Sequence, residues 1–334
     1  MMQYLLYVAT FFLALLFSLY LTPVFRKAAI KFNIVDRPDG RLKNHAEPTP
    51  YLGGLSIYVS FLLALSLTFD FSKEVLGTLL AGSIILILGL IDDFGVLGPW
   101  AKLAGQSLAA VVLIKSSIFI KLTFIPFWLA IPLTFLWLIA ITNAFNLVDI
   151  MDGLSAGIAF ISTVFLFAVA WMNERVMIAM LLSALAGSIL GFLKYNFHPA
   201  RIYMGDAGSL FIGLTIGSLA MINSYTINNR VASIVPIIIL GVPIFDMLFV
   251  MYVRWRRGLP IMTGSPDHFA LRLRKWRLST RGTVVLSYLI AAFFGLMGIL
   301  IVLSGYFWAY VFLGIILLSA LVSAIWLKKI DMSL

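Results

Sequence analysis

Residues 282–327 read GTVVLSYLIAAFFGLMGILIVLSGYFWAYVFLGIILLSALVSAIWL and contain no charged side chain. A helix needs about 20 mostly apolar residues to cross a membrane, so this stretch is long enough for two crossings, with a break expected near Ser304 and Gly305. Further charge-free stretches occupy residues 1–25, 48–69, 75–91, 103–114, 122–148, 153–173, 176–193, 207–229 and 231–245. The pattern predicts an all-α, polytopic membrane bundle of about eleven transmembrane helices.

The overall composition agrees with this class and excludes others. Of the 334 residues, 62% are hydrophobic and 11% are charged, and the mean hydropathy is +1.05. A soluble domain is about half apolar and about a quarter charged, so a soluble enzyme and a disordered chain are excluded. The chain has no cysteine and three histidines, which excludes a disulfide scaffold and a thiolate metal site and argues against zinc.

The positions of lysine and arginine predict the orientation, because cytoplasmic loops carry most of these residues. With the N-terminus outside, the inner segments hold 19 of the 24 basic residues and the outer segments hold five. The expected topology is therefore N-out and C-in. Arg26 and Lys27 follow the first apolar stretch, which favours an anchor over a cleaved signal peptide. We expect a single membrane domain over 1–334, with one catalytic face formed by the inner loops 26–50, 92–102, 146–153, 194–206 and 254–281.

Acidic residues are scarce, and most of them lie near inner helix ends. Asp92 and Asp93 follow an apolar helix, where adjacent carboxylates repel each other unless a cation lies between them. They are either a helix stop or a metal-binding or proton-transfer pair. Asn146, Asp149 and Asp152 are spaced three residues apart, which would place them on one helix face. No basic residue lies near this polar stripe in the sequence, so a functional role is favoured over simple capping.

Two further carboxylates are expected close to the membrane. Asp206 lies between glycines, directly before an apolar stretch. It is either an N-cap or a carboxylate beside backbone amides that can approach a phosphate. Asp246 lies inside a predicted span, eight residues before Arg254. A carboxylate within a membrane is costly, so Asp246 either has a function or pairs with an arginine.

His268 and Arg272 are four residues apart, a spacing that would place them on one helical face, in a loop that carries eight basic residues. The loop is either solvated positive charge or a phosphate-binding arm. Mg²⁺ takes one or two carboxylates and leaves positions for substrate phosphates, so carboxylates and basic residues on one face suit phosphoryl-type transfer to a membrane substrate. A cation-coupled transporter is the alternative from another class, and Asp246 is its best support.

From Lys43 to Arg277 these motifs resemble the polyprenyl-phosphate N-acetylhexosamine-1-phosphate transferases. This superfamily includes the MraY-type peptidoglycan enzyme and the WecA-type enzymes that start O-antigen, teichoic acid and related glycans. The resemblance implies transfer of a sugar-1-phosphate, by default N-acetylglucosamine-1-phosphate, from a UDP-N-acetylhexosamine to polyprenyl (undecaprenyl) phosphate, with release of UMP. It implies Mg²⁺, or Mn²⁺, as cofactor and a cytoplasmic site in the bacterial inner membrane. No nucleic acid is expected as a partner, and a homodimer is an open expectation.

The resemblance also implies roles for individual residues. Catalytic roles fall to Asp92, Asp93, Asp149, Asp152 and His268. Substrate binding falls to Lys43, Lys102, Asn146, Asn196, Tyr203 and Arg272. Mg²⁺ binding falls to Asp206. The last loop has one histidine followed by Phe269, where the MraY-type enzyme has consecutive histidines and many WecA-type enzymes have His-x-His. The WecA type is therefore favoured over the alternative, a phospho-MurNAc-pentapeptide transferase.

Overall fold

The structure is a computed structural model that describes residues 2–36, 48–226, 228–260, 265–330 and 332. The helices are α1 (Met2–Lys31), α2 (Gly53–Thr68), α3 (Lys73–Asp92), α4 (Pro99–Lys115), α5 (Phe127–Val148), α6 (Leu154–Met172), α7 (Val176–Asn196), α8 (Gly205–Ile222), α9 (Val235–Ile239), α10 (Gly241–Arg256), α11 (Phe269–Lys275), α12 (Thr280–Leu303) and α13 (Tyr306–Lys328). A 3₁₀ turn covers Arg230–Ile234, and β1 (Val35–Asp36) pairs antiparallel with β2 (Thr49–Pro50). The predicted all-α class is confirmed.

Eight helices of the described residues are long and apolar enough to cross a membrane: α1, α3, α5, α6, α7, α8, α12 and α13. The segment Arg230–Ile239 and α10 form a pair bent by 73°, which would make a ninth span. Pro236 and Pro243 flank this bend, where each removes a backbone N–H from the helical ladder. The polytopic membrane fold is therefore confirmed. The count of eleven stays a prediction, because α2 and α4 have only 16 and 17 residues.

The centre of the bundle is formed by α7 and α8. In each of these two helices, 78% of an apolar stretch of 18 residues is buried inside the bundle. The corresponding share in α13 is 11%, so α13 lies at the periphery. Small residues allow the central helices to pack closely. A side chain at Gly187 or Gly191 of α7 would overlap main-chain atoms of α1. Close contacts between main chains therefore position the central helices. The outer surface of peripheral helices such as α13 faces lipid.

Close packing also sets the positions of the helix ends that carry polar residues. A side chain at Gly89 of α3 would overlap the backbone of Ala207, and one at Gly54 of α2 would overlap Gly208. These glycines let α2 and α3 lie directly against the first turn of α8. Hydrogen bonds also join the starts of α4, α6, α8 and α12 to the ends of α3, α5 and α7 at this end of the bundle. We call this end the polar face.

Candidate active site

Polar side chains from three helix ends meet around one lysine at the polar face. Lys102 Nζ lies 2.5 Å from Asp92 Oδ2 and 3.0 Å from Asp206 Oδ2. The same ammonium group donates to Asn146 Oδ1 at 3.3 Å. Asp93 and Asp149 lie close enough to interact electrostatically with Asp206. We call Asp92, Asp93, Asp149 and Asp206, together with Lys102 and Asn146, the carboxylate cluster.

Asp206 has the most contacts within the carboxylate cluster. Asn146 Nδ2 donates to Asp206 Oδ1 at 2.7 Å and to Ser209 Oγ at 2.9 Å. Asp206 lies in the first turn of α8, where the N-terminal end of a helix favours negative charge. Its side chain is 34% exposed. Asp206 is therefore fixed by neighbours and still reachable from solvent.

Asp93 caps α8, although it belongs to the end of another helix. Its Oδ1 accepts from the backbone N–H of Asp206 at 2.7 Å, and its Oδ2 accepts from that of Ala207 at 3.3 Å. Gly205 has a φ of 72°, and a side chain there would overlap the Asp93 carboxylate. Burial raises the pKa of Asp93 to about 7, the two N–H groups act against this rise, and the charges of Asp206 and Asp92 add to it. Asp93 therefore holds Asp206 in place.

Asp149 directly follows α5 and is half-buried. Burial raises the pKa of Asp149 to about 8, and the charges of Asp206, Asp93 and Asp152 act in the same direction. Within the described part of the chain, its carboxylate has no hydrogen-bond partner. The Asp149 carboxyl group is therefore available to a ligand.

Asp152 points to a neighbouring loop instead of extending the polar stripe. The expectation that Asn146, Asp149 and Asp152 share one helix face is wrong, because α5 ends at Val148 and Gly153 adopts a left-handed φ of 76°. Asp152 Oδ2 accepts from Ala200 N at 3.0 Å and lies 2.7 Å from His198 Nδ1. Asp152 thus fixes the loop between α7 and α8.

The same loop holds the two residues expected beside uridine. Asn196 Oδ1 accepts from Gly153 N, and its Nδ2 donates to Ile202 O, both at 3.0 Å. The two hydrogen bonds of this buried side chain therefore connect the loop before α6 with the loop between α7 and α8. Tyr203 is half-buried, and its backbone pairs with Pro50 and Gly53. Burial raises the pKa of the Tyr203 phenol, while a hydrogen bond with Thr49 acts in the opposite direction. A contact of either residue with uridine stays a prediction.

Sequence reasoning missed His198. Besides its pairing with Asp152, its main-chain oxygen accepts from Arg281 Nε at 3.2 Å. His198 therefore connects the loop between α7 and α8 to the start of α12. The available signal was its residue type, since it is one of only three histidines and lies in the predicted inner loop 194–206.

A second polar region is formed by residues 265–278, which we call the arm. His268 Nδ1 lies 2.7 Å from Asp246 Oδ2, and Asp246 Oδ1 accepts from Phe269 N at 2.8 Å. The two side chains are only 5% and 1% exposed. The carboxylate within α10 is therefore compensated by a histidine and a backbone N–H. His268 is the N-cap of α11, so Asp246 fixes both the imidazole and the start of this helix.

Arg272 lies inside the arm and is 1% exposed. It donates to Asp267 Oδ1 at 2.6 Å and to the main-chain oxygens of Leu327 and Ile330 at 3.1 and 2.7 Å. Arg257 also contacts Asp267, at 3.1 Å. The described contacts of Arg272 thus tie the arm to the end of α13, and the structure does not bring Arg272 into the carboxylate cluster. Lys43, expected to bind substrate, lies outside the described residues.

The donor set of the carboxylate cluster fits a magnesium ion that is shared with a substrate. Within the described ranges, no group of three His, Asp or Glu side chains is arranged to enclose a metal. Mg²⁺ is usually held by one or two carboxylates together with substrate phosphates. Asp206 and Asn146, with Asp92 on the other side of Lys102, offer this smaller set of oxygen ligands.

Comparison with known proteins identifies the family. The model of glycosyl transferase family 4 matches residues 75–224. A probable undecaprenyl-phosphate N-acetylglucosaminyl 1-phosphate transferase of Bacillus subtilis (strain 168) is 35% identical over 93% of this chain and 89% of its own length. A decaprenyl-phosphate N-acetylglucosaminephosphotransferase of Mycolicibacterium smegmatis is 33% identical, covering 79% and 74%. A phospho-N-acetylmuramoyl-pentapeptide-transferase of Halalkalibacterium halodurans is 32% identical, covering 80% and 89%. The chain therefore belongs to glycosyl transferase family 4 and is a multi-pass membrane transferase.

Proposed function

We propose that the protein transfers N-acetylglucosamine-1-phosphate from UDP-N-acetylglucosamine to polyprenyl phosphate and releases UMP. The carboxylate cluster carries the proposal, because its carboxylates lie at the ends of membrane-spanning helices and two of them contact Lys102. The relatives from B. subtilis and M. smegmatis support it, since both are named for N-acetylglucosamine phosphate transfer to a polyprenyl phosphate. We further propose that the polar face is cytoplasmic in a bacterial inner membrane, as the distribution of Lys and Arg favours.

Charge is the main obstacle to this reaction. The lipid phosphate and the nucleotide diphosphate are both anions, and Lys102 supplies only one positive charge among the carboxylates of the cluster. Asp206 and Asn146, with Asp92 nearby, would hold Mg²⁺ or Mn²⁺. When bound, the ion supplies positive charge that offsets the negative charge of the diphosphate. Lys102, which contacts carboxylate and amide oxygens in the structure, would then also bind a phosphate oxygen.

The reaction requires little acid–base catalysis. A phosphomonoester loses its second proton near pH 6, so the lipid phosphate needs no strong base at neutral pH. Its oxygen attacks the β-phosphorus, the bond from this phosphorus to the bridging oxygen breaks, and UMP leaves with the bridging oxygen. Positioning is then the larger contribution of the protein. Burial raises the pKa of Asp149, and in its protonated form Asp149 would donate a hydrogen bond to a phosphate oxygen.

The remaining residues position the substrates. Asn196 and Asp152 fix the two loops beside Tyr203, whose ring would stack on uracil. Asp246 orients the His268 imidazole, as carboxylates do for histidines that act on substrates, and His268 would contact the diphosphate. We propose that Arg272 acts indirectly, because its described hydrogen bonds hold the arm against α13.

Two other functions are less well supported. Phospho-MurNAc-pentapeptide transfer is the second candidate, because the H. halodurans relative carries that name. The single histidine followed by Phe269 favours N-acetylglucosamine transfer. A cation-coupled transporter rested on Asp246, and the pairing of Asp246 with His268 gives this carboxylate a role without transport.

UMP release from a panel of donors tests the proposal. Purified protein is mixed with polyprenyl phosphate, Mg²⁺ and either UDP-N-acetylglucosamine, UDP-N-acetylgalactosamine or UDP-MurNAc-pentapeptide. We expect UMP release from UDP-N-acetylglucosamine only when polyprenyl phosphate and the divalent ion are both present. Full activity in excess chelator would contradict the metal requirement. Turnover of the pentapeptide donor alone would contradict the proposed sugar.

A further inference from the structure

An open pocket of about 840 Å³ lies between the arm and the end of α13. It is lined by three basic residues, Lys275, Arg277 and Lys329, which are all exposed. Trp276 and Trp326 form one wall, with ring centroids 4.9 Å apart and an interplanar angle of 83°. The pocket therefore combines positive charge with aromatic surface at the place where a membrane-spanning helix ends.

An apolar groove of about 530 Å³ adjoins this pocket between α10 and α13. The groove and the pocket share Lys329. Ile325 and Leu321 line the groove one and two turns before Lys329, and both belong to the membrane-spanning part of α13. The groove thus extends from the cationic pocket into the spanning region, alongside Phe249 of α10.

We propose that the pocket and the groove together bind an acidic phospholipid. Lys and Arg near the end of a spanning helix recognise anionic headgroups, and Trp prefers the depth of the headgroups. A free phosphate ion would use the pocket and leave the groove empty. A zwitterionic lipid would carry no net charge to compensate Arg277 and Lys329. An acidic phospholipid uses both parts, with its phosphate in the pocket and an acyl chain in the groove.

The site is distinct from the carboxylate cluster, with which it shares no residue. It is next to the place where Arg272 donates to Leu327 O and Ile330 O. A bound lipid therefore adds a further connection between the arm and α13. The proposal does not depend on which sugar the enzyme transfers.

Lipid binding by the purified, delipidated full-length protein tests this site. Native mass spectrometry counts the bound phosphatidylglycerol molecules during a titration. The test variant is Arg277→Gln with Lys329→Gln. Each basic residue beside an acidic lipid contributes about fivefold in affinity, so we expect the affinity to fall roughly thirtyfold. Arg277 has a φ of 97°, and Gln has the same steric constraint at its Cβ, so the exchange adds no backbone strain.

The matched control is Lys27→Gln with Lys194→Gln, which removes two exposed positive charges from the ends of α1 and α7. We expect wild-type affinity for phosphatidylglycerol in this control. Ala324→Phe, which fills the groove, should weaken the binding of long-chain phosphatidylglycerol and leave dihexanoyl phosphatidylglycerol unaffected. Monodisperse elution and an unchanged thermal midpoint show that each variant is folded.

Three results would overturn the proposal. The first is equal affinity for phosphatidylcholine and phosphatidylglycerol in the wild-type protein. The second is an equal loss of affinity in the test and control variants. The third is one-for-one displacement of phosphatidylglycerol by polyprenyl phosphate, which would assign the pocket to the lipid substrate.

Discussion

The carboxylate cluster and the arm contain the same kind of contact in different settings. Lys102 lies 2.5 Å from Asp92, and Arg272 lies 2.6 Å from Asp267. In the cluster, the carboxylates outnumber the single ammonium group, and the Asp206 side chain is 34% exposed. In the arm, one guanidinium group is paired with one carboxylate, and the side chains of Arg272 and Asp267 are 1% and 2% exposed.

This difference separates a binding site from a scaffold. Excess negative charge that remains open to solvent attracts a cation and, through it, anionic substrates. A sealed and balanced ion pair is already satisfied, and removing one partner leaves a buried charge that costs several kcal/mol. The distance between two charged groups does not distinguish these cases, whereas charge balance and exposure do. Loss of a carboxylate should therefore affect turnover in the cluster and stability in the arm.

The largest expected effect is that of Asp206→Asn on turnover. The amide keeps the size of the side chain and removes the charge that would hold the metal, so UMP release at saturating Mg²⁺ should fall on the order of 10³-fold. The thermal midpoint should stay unchanged, because the cluster has carboxylates in excess. Asp70→Asn, an exposed carboxylate outside the cluster, is the control and should keep full turnover. Unchanged activity of Asp206→Asn would refute its role as ligand.

Asp267→Asn should show the opposite pattern. It removes the Asp267 carboxylate, to which the buried Arg272 guanidinium group donates at 2.6 Å. The free energy of unfolding should fall by about 3 kcal/mol, measured by denaturant titration in detergent. Any loss of turnover should follow the loss of folded protein. A stable variant with low turnover would place Asp267 in the active site and break the comparison.

His268 is the residue of the arm for which we expect a direct effect on the reaction. His268→Ala should lower kcat about 10²-fold, while the affinity for UMP stays unchanged. Asp246→Asn should lower kcat in a similar way, since the imidazole loses the carboxylate that orients it. Because the two residues act as a unit, the double variant should be hardly worse than either single variant. Additive losses would show that they act separately.

The sequence predicted the helical membrane fold because long apolar stretches constrain the backbone locally. It also indicated Asp92, Asp93, Lys102, Asn146 and Asp206, which the structure brings together. The three-residue spacing gave a wrong prediction for Asp152. Spacing alone does not show where a helix ends, and α5 ends at Val148, before Asp152. Spacing failed again at His268, which precedes α11 as its N-cap and so does not share a helical face with Arg272.

The remaining errors concern partners that are distant in the chain. Arg272 bonds with Leu327 and Ile330, more than fifty residues away. Asp246 lies within an apolar helix, and its partner His268 follows in a basic loop. Neither pairing leaves a local signal, because tertiary packing selects the partner. The sequence therefore does not distinguish Arg272, which is buried, from the exposed basic residues of the same loop.

Arg272→Lys separates support of the arm from direct binding of phosphate. Lysine keeps the charge and loses the planar group that bonds with Asp267 and two main-chain oxygens. The free energy of unfolding should fall by about 2 kcal/mol, with the KM for the UDP-sugar unchanged. Arg274→Gln, at an exposed neighbouring position, should change stability by less than about 0.5 kcal/mol. A raised KM in a fully stable Arg272→Lys variant would restore the direct role.

The smallest effect is expected for Tyr203, which is neither sealed like Arg272 nor part of the charged cluster. If its ring stacks on uracil, Tyr203→Ala should weaken UMP binding about tenfold, within the range for stacking on a base, and should change kcat little. Tyr203→Phe is the matched variant, because it keeps the ring and removes the hydroxyl that bonds with Thr49. Binding in Tyr203→Phe should therefore stay close to wild type, as titration calorimetry with UMP would show. Equal weakening in both variants would assign the effect to the hydroxyl and to the β2 loop that it holds. Unaltered affinity in Tyr203→Ala would remove Tyr203 from the nucleotide site, leaving recognition of uracil to other groups.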